Sequence, residues 1–212
     1  MTTPGLSACI VPHVTLPTPR AEPSIMGMPR AVTSWTAAML AELPDDGNRY
    51  EVVDGELLVT PAPAWPHQTM IGALYRRLAV WLEAHRVAHV MLAPADVTLD
   101  PKTLVQPDLF VVPLHAGRAP RSWAEAGELL LAVEVVSPAS ARADRHLKRR
   151  RYQRAGADEY WVVDLDARLV ERWRPADERG EPLAERLVWR PRGAAEGLAI
   201  DLRELFAEAL ER

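Results

Sequence analysis

The run LLLAVEVVSP, residues 129–138, constrains the fold more than any other stretch of this chain. An apolar run of this kind favours a strand that is buried on both faces of a sheet. Glu134 lies inside the run, where an isolated ionised carboxylate is energetically costly. We therefore expect Glu134 to be neutral, paired with a cation or bound to a metal ion.

The composition places the chain among ordinary globular proteins and sets limits on its function. Its 212 residues are enough for one sizeable domain with its own core. A net charge of -4 and a pI of about 5.9 indicate no global basic surface for nucleic acid, although a local cationic groove is compatible with them. A single cysteine, Cys9, excludes a disulfide framework and a zinc site built from cysteines. With no membrane-length apolar run and no signal-peptide pattern, we expect a cytoplasmic protein without a membrane partner.

Prolines and weak periodicity separate the start of the chain from the rest. Six prolines fall within residues 1–30, which we predict to be a disordered tail. Met26 and Met28 lie just before the first structured element, and either is a candidate for the native first residue. Residues 31–212 are predicted to form a single domain.

Apolar periodicity and turn residues predict the elements of that domain. We expect a short helix at 34–43, a hairpin turning at Asp54-Gly55, and a helix from Pro66 to about His85. Strands follow at about 88–99, 104–112 and 129–136, then a helix at about 140–155 and a strand at 159–164. A hairpin, two weaker strands near 185–190 and 197–200, and a short helix complete the chain. This order predicts an α/β or α+β fold, a mixed sheet flanked by helices.

Two strands carry acids that a sheet can bring together. In VQPDLFVV, residues 105–112, Asp108 shares a face with Phe110 and Val112, because side chains alternate along a strand. If this strand neighbours the one with Glu134, the two carboxylates converge, and they repel unless a cation or proton lies between them. Oxygen ligands of this kind suit Mg²⁺ or Mn²⁺. For either acid alone, a half-exposed position or a pair with arginine is the simpler alternative.

The helix after residue 140 carries one of only two lysines, Lys102 and Lys148, among 25 lysine and arginine residues. Lys148 lies on a stripe with Asp144 at helical spacing, which turns it towards the sheet. The alternative is a solvated Asp144–Lys148 pair worth about 0.2–0.5 kcal/mol. Arg145 and Arg149 on the same helix are candidate phosphate contacts, although such a charge run also fits a solvated helix face.

The ordered series of motifs resembles a known family. YEVVDGELL, a helix beginning near His67, VQPDLFVV, VEVVSPAS and GADEYWVVD together resemble the Uma2 family over about residues 35–175. Members of that family are bacterial proteins expected to be endonucleases of the PD-(D/E)xK superfamily. The resemblance implies a restriction-endonuclease-like core with a metal-binding acidic site.

Carried over by position, the resemblance implies roles for individual residues. Asp108 matches the acid of the PD motif and Glu134 the acid of (D/E)xK, and with the carbonyl of Val135 they would bind Mg²⁺ or Mn²⁺. The lysine position of the motif is Val136 here. In relatives of this kind the next helix often supplies the lysine, which points to Lys148 as the third catalytic residue.

Two further residues are candidate accessory groups at this site. His67 opens the first long helix, where the family pattern often has a histidine, although a core or capping role is the simpler reading. Glu56, just after the hairpin turn, is an additional acid within reach of the same end of the sheet.

The expected function is that of a Mg²⁺-dependent endonuclease that hydrolyses phosphodiester bonds of nucleic acid, with DNA favoured as the substrate. The alternative is a catalytically inactive module of the same fold that binds nucleic acid or a partner protein, which Val136 and the acidic pI favour. Seven tryptophans and the C-terminal hairpin region offer apolar surface for a homodimer. A serine hydrolase lacks support because no G-x-S-x-G motif occurs.

Overall fold

The computed structural model describes residues 34–138 and 140–211. The predictions made for the tail at 1–30, for Cys9, and for a start at Met26 or Met28 fall outside these residues. Within the described part of the chain, every helix is too short or too polar to cross a membrane.

Twelve strands and five α-helices form in the described residues, and a π-helical segment, Ala143–Lys148, directly precedes the fourth α-helix. The strands are β1 (Arg49–Val53), β2 (Glu56–Thr60), β3 (Ala88–Leu92), β4 (Val97–Asp100), β5 (Thr103–Val105), β6 (Leu109–Pro113), β7 (Leu131–Val136), β8 (Tyr160–Asp164), β9 (Leu169–Trp173), β10 (Glu181–Leu183), β11 (Arg186–Trp189) and β12 (Leu198–Asp201). The helices are α1 (Ala37–Leu40), α2 (Trp65–His85), α3 (Trp123–Ala126), α4 (Arg149–Arg154) and α5 (Leu202–Leu210).

The strands form a six-stranded mixed sheet in the order β10-β9-β8-β7-β6-β3 and a four-stranded antiparallel sheet in the order β2-β1-β5-β4. β7 and β8 run parallel because the π-helical segment and α4 return the chain between them. β11 and β12 form a separate antiparallel pair that leads into α5. This architecture confirms the predicted α+β fold, with a mixed sheet flanked by helices, an N-terminal hairpin and additional C-terminal strands.

β7 is buried on both faces, as its apolar sequence predicts. Val133 and Val135 point into the larger core, which α2 and α5 cover. Ala132 and Val136 point into a second core on the other face of the sheet. Because Glu134 alternates with the valines on either side of it, its carboxylate faces this second core.

Particular residues fix the turn of the β1–β2 hairpin and the two ends of α2, the two elements that frame the site. Asp54 and Gly55 have φ angles of 50° and 85°, the double positive φ of the tight turns that join twisted hairpins. A Cβ on Gly55 would lie 2.5 Å from the Ser34 side chain, so glycine is also required there for space. α2 has Pro66 in its first turn and is capped after His85 by Arg86, whose φ is 52°.

Two of the predicted strands are each divided in the structure. The segment predicted as one strand at 88–99 forms β3 and β4, which lie in different sheets, and Pro94 lies between them. The segment predicted at 104–112 forms β5 and β6, and Pro107 lies between those. A proline has no N–H for the strand ladder, so each one ends the pairing where a continuous apolar pattern would extend it.

Candidate active site

A wide cleft with a volume of about 1410 Å³ opens beside the N-terminus of α2. Arg49, His67 and Asp108 line it, together with the turn that follows β7. Every buried Asp, Glu, His and Lys side chain in the described residues lies at or directly behind this point: Glu51, His67, Asp108, Glu134, Asp144 and Lys148.

The two predicted acids lie side by side on neighbouring strands. β6 and β7 are antiparallel with Leu109 opposite Val133, so Asp108 and Glu134 occupy the next opposed positions of the same register. Opposed residues of an antiparallel pair project from the same face. The structure thus brings Asp108 and Glu134 together, and their side chains are 3% and 1% exposed.

Asp108 uses both carboxylate oxygens. Its Oδ1 accepts from Arg49 Nη1 at 2.7 Å. Its Oδ2 accepts from the backbone N–H of Val135 at 2.8 Å and lies 3.2 Å from His67 Nε2. The bond to Val135 ties Asp108 directly to the strand that carries Glu134, which fixes the distance between the two acids.

Lys148 points into the protein and contacts three carboxylates. Its Nζ lies 2.7 Å from Glu51 Oε2, 3.1 Å from Glu134 Oε1 and 3.3 Å from Asp144 Oδ1. The side chain is 2% exposed, so the alternative of a solvated Asp144–Lys148 pair is wrong. The contact with Glu134 has the geometry of a hydrogen bond, and those with Glu51 and Asp144 are close ion pairs.

A π-helical turn positions this lysine. The predicted α-helix at about 140–155 instead begins with the π-helical segment, in which Arg149 N–H donates to Asp144 O, a bond across five residues. Tyr160 Oη also donates to that carbonyl, at 3.0 Å. The wider turn buries both Asp144 and Lys148, and such π-bulges occur frequently at functional sites.

Glu51 is, with Arg49, one of two site residues that sequence reasoning missed. It lies on β1 with a fully buried side chain, and its Oε1 accepts from the backbone N–H of Gln106 at 2.7 Å. A signal was present, since Glu51 precedes Val52-Val53 just as Glu134 precedes Val135-Val136. Each of these two carboxylates lies in an apolar strand and therefore needs a partner.

The two accessory candidates have different surroundings. His67 is 9% exposed and lies 3.2 Å from Asp108, while its Nδ1 is buried without a hydrogen-bond partner in the described residues. Because Nε2 faces a carboxylate, it is the nitrogen that carries the proton. Glu56 has an exposed side chain at the hairpin turn and contacts none of the buried acids, so the structure does not bring it into the cluster.

The two candidate phosphate-binding arginines already have partners. The guanidinium of Arg145 lies 2.5 Å from Asp164 and 2.7 Å from Glu171. Arg149 lies over the ring of Trp173 at 4.6 Å and donates to Gln153. Neither contacts the Asp108–Glu134 pair, and a phosphate would have to displace two carboxylates from Arg145.

The acids of the cluster differ in how readily they ionise. Burial raises the pKa of Asp108, but the hydrogen bond from His67 and the charge of Arg49 outweigh burial and hold that pKa at about 2. Burial raises the pKa of Glu134 well above its usual range, and the charge of Lys148 only partly opposes this. Asp108 is thus ionised, whereas Glu134 is the acid that most readily takes up a proton.

Lys148 remains protonated in this environment. Burial lowers its pKa, but the attraction of Glu134 and Glu51 outweighs burial and raises that pKa well above its usual range. Burial also raises the pKa of Asp144, against the charge of Lys148. A lysine in this state is suited to donating hydrogen bonds and positive charge.

The charge balance tests whether a metal ion fits. If all four carboxylates are ionised, they share two permanent cations, Arg49 and Lys148, which leaves two formal negative charges in a largely buried place. One divalent cation would neutralise this excess, and carboxylate oxygens suit Mg²⁺ or Mn²⁺. Among the described residues no three His, Cys, Asp or Glu side chains converge as a ready metal site. The predicted set of two carboxylates and a main-chain carbonyl is compatible with that finding.

Comparisons with known proteins bear on the family and the fold of this chain. The model of the Uma2 family, described as "Putative restriction endonuclease", matches residues 37–203. No curated protein matches the chain. A crystal structure described as that of "a putative nuclease belonging to DUF820" from Anabaena variabilis ATCC 29413 superposes with a TM-score of 0.68 at 20% identity. The match covers 83% of this chain and 99% of that one, and at this identity it shows a shared fold.

Proposed function

The chain belongs to the Uma2 family, and we propose that it is a metal-dependent endonuclease that hydrolyses phosphodiester bonds of nucleic acid, with DNA as the expected substrate. The observation that carries the proposal is the gathering of all described buried Asp, Glu, His and Lys side chains at and behind the side of the cleft that His67 and Asp108 line. Such a cluster is costly to bury unless it is fully paired, so its presence favours a function for it.

Asp108, Glu134 and the carbonyl of Val135 are the groups that would hold Mg²⁺ or Mn²⁺. When bound, such an ion supplies polarisation of the phosphate and a bound water of lowered pKa. Asp108 is ionised and held by Val135 N–H, so it carries the charge that a cation needs. Burial raises the pKa of Glu134, and a cation that approached it would favour its ionised form.

Lys148 acts in this proposal as a fixed cation. It holds Glu134 in place at 3.1 Å and stays protonated, so it contributes charge and orientation to the site. His67 donates to Asp108 and keeps that carboxylate turned towards β7.

Nicking of supercoiled plasmid DNA in Mg²⁺ or Mn²⁺ tests the proposal. We expect Asp108→Asn and Glu134→Gln to abolish nicking while the near-ultraviolet circular dichroism of the protein is retained. Glu196→Gln, which changes an exposed carboxylate outside the cleft, is the matched control and should nick at the wild-type rate. Full activity in either site variant would remove that residue from the scheme.

A second candidate function is a module of this fold that binds nucleic acid or a partner protein without hydrolysis. Two observations favour it. Val136 occupies the usual lysine position of the motif. Aspartates slightly outnumber basic side chains in the lining of the cleft: Asp45, Asp96, Asp108 and Asp166 against Arg49, His67 and Arg168. Titration with Mn²⁺ in a thermal-shift assay separates the two. An ion that stabilises the wild type but not Glu134→Gln supports the nuclease, and no metal effect supports the module.

Assembly and location remain predictions. The large apolar side chains exposed in the described residues are few and scattered: Val59, Trp65, Val80, Leu92 and Val188. Light scattering on the purified protein would show whether the expected homodimer forms. The cytoplasmic location expected from the sequence is testable by cell fractionation.

A further inference from the structure

The two permanent cations of the site differ in their access to the cleft. Lys148 is 2% exposed and lies behind the acids, where three carboxylates hold it. The side chain of Arg49 is 20% exposed and lines the cleft. Any ion that enters from the cleft therefore meets Arg49 before it meets Lys148.

Arg49 occupies the side of Asp108 that faces the cleft. Its Nη1 donates to Asp108 Oδ1 at 2.7 Å and to Gln106 O at 3.1 Å. Its Nε lies 3.8 Å from Glu51 Oε2. The opposite oxygen, Asp108 Oδ2, is taken by Val135 N–H and His67. Oδ1 is thus the oxygen of Asp108 left for a cation from the cleft, and Arg49 already holds it.

Two positive groups cannot share that oxygen without strong repulsion. A divalent cation that binds at Oδ1 would therefore repel Arg49 and favour its departure from that oxygen. The residual exposure of the arginine gives its long side chain room to swing into the cleft, where it would be the cation nearest to a bound phosphate.

We infer that Arg49 is a displaceable counter-ion of Asp108, which holds the place of a divalent cation and turns to a nucleic-acid phosphate when that cation binds. This inference rests on the proposed function and adds to it a residue that links metal binding to substrate binding. Arg49 thereby neutralises the cluster when the site is free of metal and contacts the substrate when the site is loaded.

Calorimetric titration with Mn²⁺ tests the first half of the inference. Arg49→Met keeps the length of the side chain and removes its charge, so we expect Mn²⁺ to bind about tenfold more tightly than to the wild type. Arg168→Met is the matched control, because Arg168 lines the same cleft but pairs with Glu211. Its affinity for Mn²⁺ should equal that of the wild type.

Binding of a phosphorothioate DNA duplex in saturating Mn²⁺ tests the second half. Arg49→Met should bind the duplex about tenfold more weakly than the wild type, because a charge-assisted contact to phosphate is lost. Tighter metal binding combined with weaker duplex binding is a signature that general damage to the fold does not produce. If Arg49→Met does not fold, crystals of the wild type soaked in Mn²⁺ decide: the guanidinium should have left Asp108 Oδ1.

The outcomes separate this inference from the proposed function. If the wild type binds Mn²⁺ and Arg49→Met binds it equally or more weakly, Arg49 is not a counter-ion of the metal position, and the endonuclease proposal stands. If neither protein binds Mn²⁺, both proposals fail. Guanidinium contact with Asp108 in a metal-loaded crystal would also overturn the inference.

Discussion

Replacement of Lys148 by methionine tests the buried charge cluster directly. Methionine has a similar length and fills the same space, but it leaves Glu51, Glu134 and Asp144 without their shared cation. Removing one partner of a buried ion pair destabilises a protein by about 3–5 kcal/mol, because the remaining charge stays buried. The total stability of such a domain is about 5–15 kcal/mol, so the loss is a large fraction of it.

The destabilisation should depend on pH with a defined sign. Burial already raises the pKa of Glu134 and of Asp144, and Lys148 opposes this rise in both, so its removal raises both further. A carboxyl whose folded pKa exceeds its unfolded pKa weakens the fold as the pH rises through that window. The difference in stability between wild type and Lys148→Met should therefore be small near pH 5 and largest near pH 8.

Urea unfolding followed by tryptophan fluorescence measures this difference, since Trp161 and Trp189 are fully buried reporters. Lys102→Met is the matched control because Lys102 is the other lysine of the chain and is exposed, so its replacement should change stability by less than about 0.5 kcal/mol. If Lys148→Met were as stable as the wild type at pH 7, or if the difference grew towards pH 5, the three buried ion pairs would not exist as described.

Three further predictions concern the same cluster. The fold lowers the pKa of Asp108 from 3.8 to about 2, so the charge of Asp108 stabilises the fold by about 2 kcal/mol. The stability advantage of wild type over Asp108→Asn, measured by urea unfolding, should therefore vanish as the pH falls from about 5 to 2. Glu134→Gln should raise the unfolding free energy at pH 7 by about 1 kcal/mol and abolish stabilisation by Mn²⁺; a clear loss of stability in urea would contradict the raised pKa. Because Arg49 and Arg168 are the arginines that line the cleft, the slope of log K against log salt for duplex binding should be about −2, and a slope near −6 would indicate a different binding surface.

The pairing of Asp108 with Glu134 was accessible from the sequence for a physical reason. Strand parity gave each carboxylate a face, so the two acids would converge if their strands were neighbours, and β6 and β7 are neighbours. The inward direction of Lys148 followed from its helical spacing with Asp144.

The remaining members of the cluster depend on contacts that the local sequence does not specify. Glu51 enters the site because β1 pairs with β5, Val52 opposite Leu104, which places it beside Gln106. Arg145 is withdrawn from phosphate binding by Asp164 and Glu171, which lie on two other strands. Such partners are set by sheet order, and a single sequence does not reveal sheet order.

Lys148 has different surroundings from those that a lysine at position 136 would have. A lysine at Val136 would start roughly 6.6 Å along the strand from Glu134 and face the same side of the sheet. Lys148 approaches from the helix instead, which adds Glu51 and Asp144 to its partners and raises its pKa. The positive charge that results suits this lysine to orienting and neutralising roles. If the chain hydrolyses phosphodiesters as proposed, Asp108, Glu134 and the carbonyl of Val135 would hold the cation, which would supply a bound water of lowered pKa, and Lys148 would contribute charge and orientation.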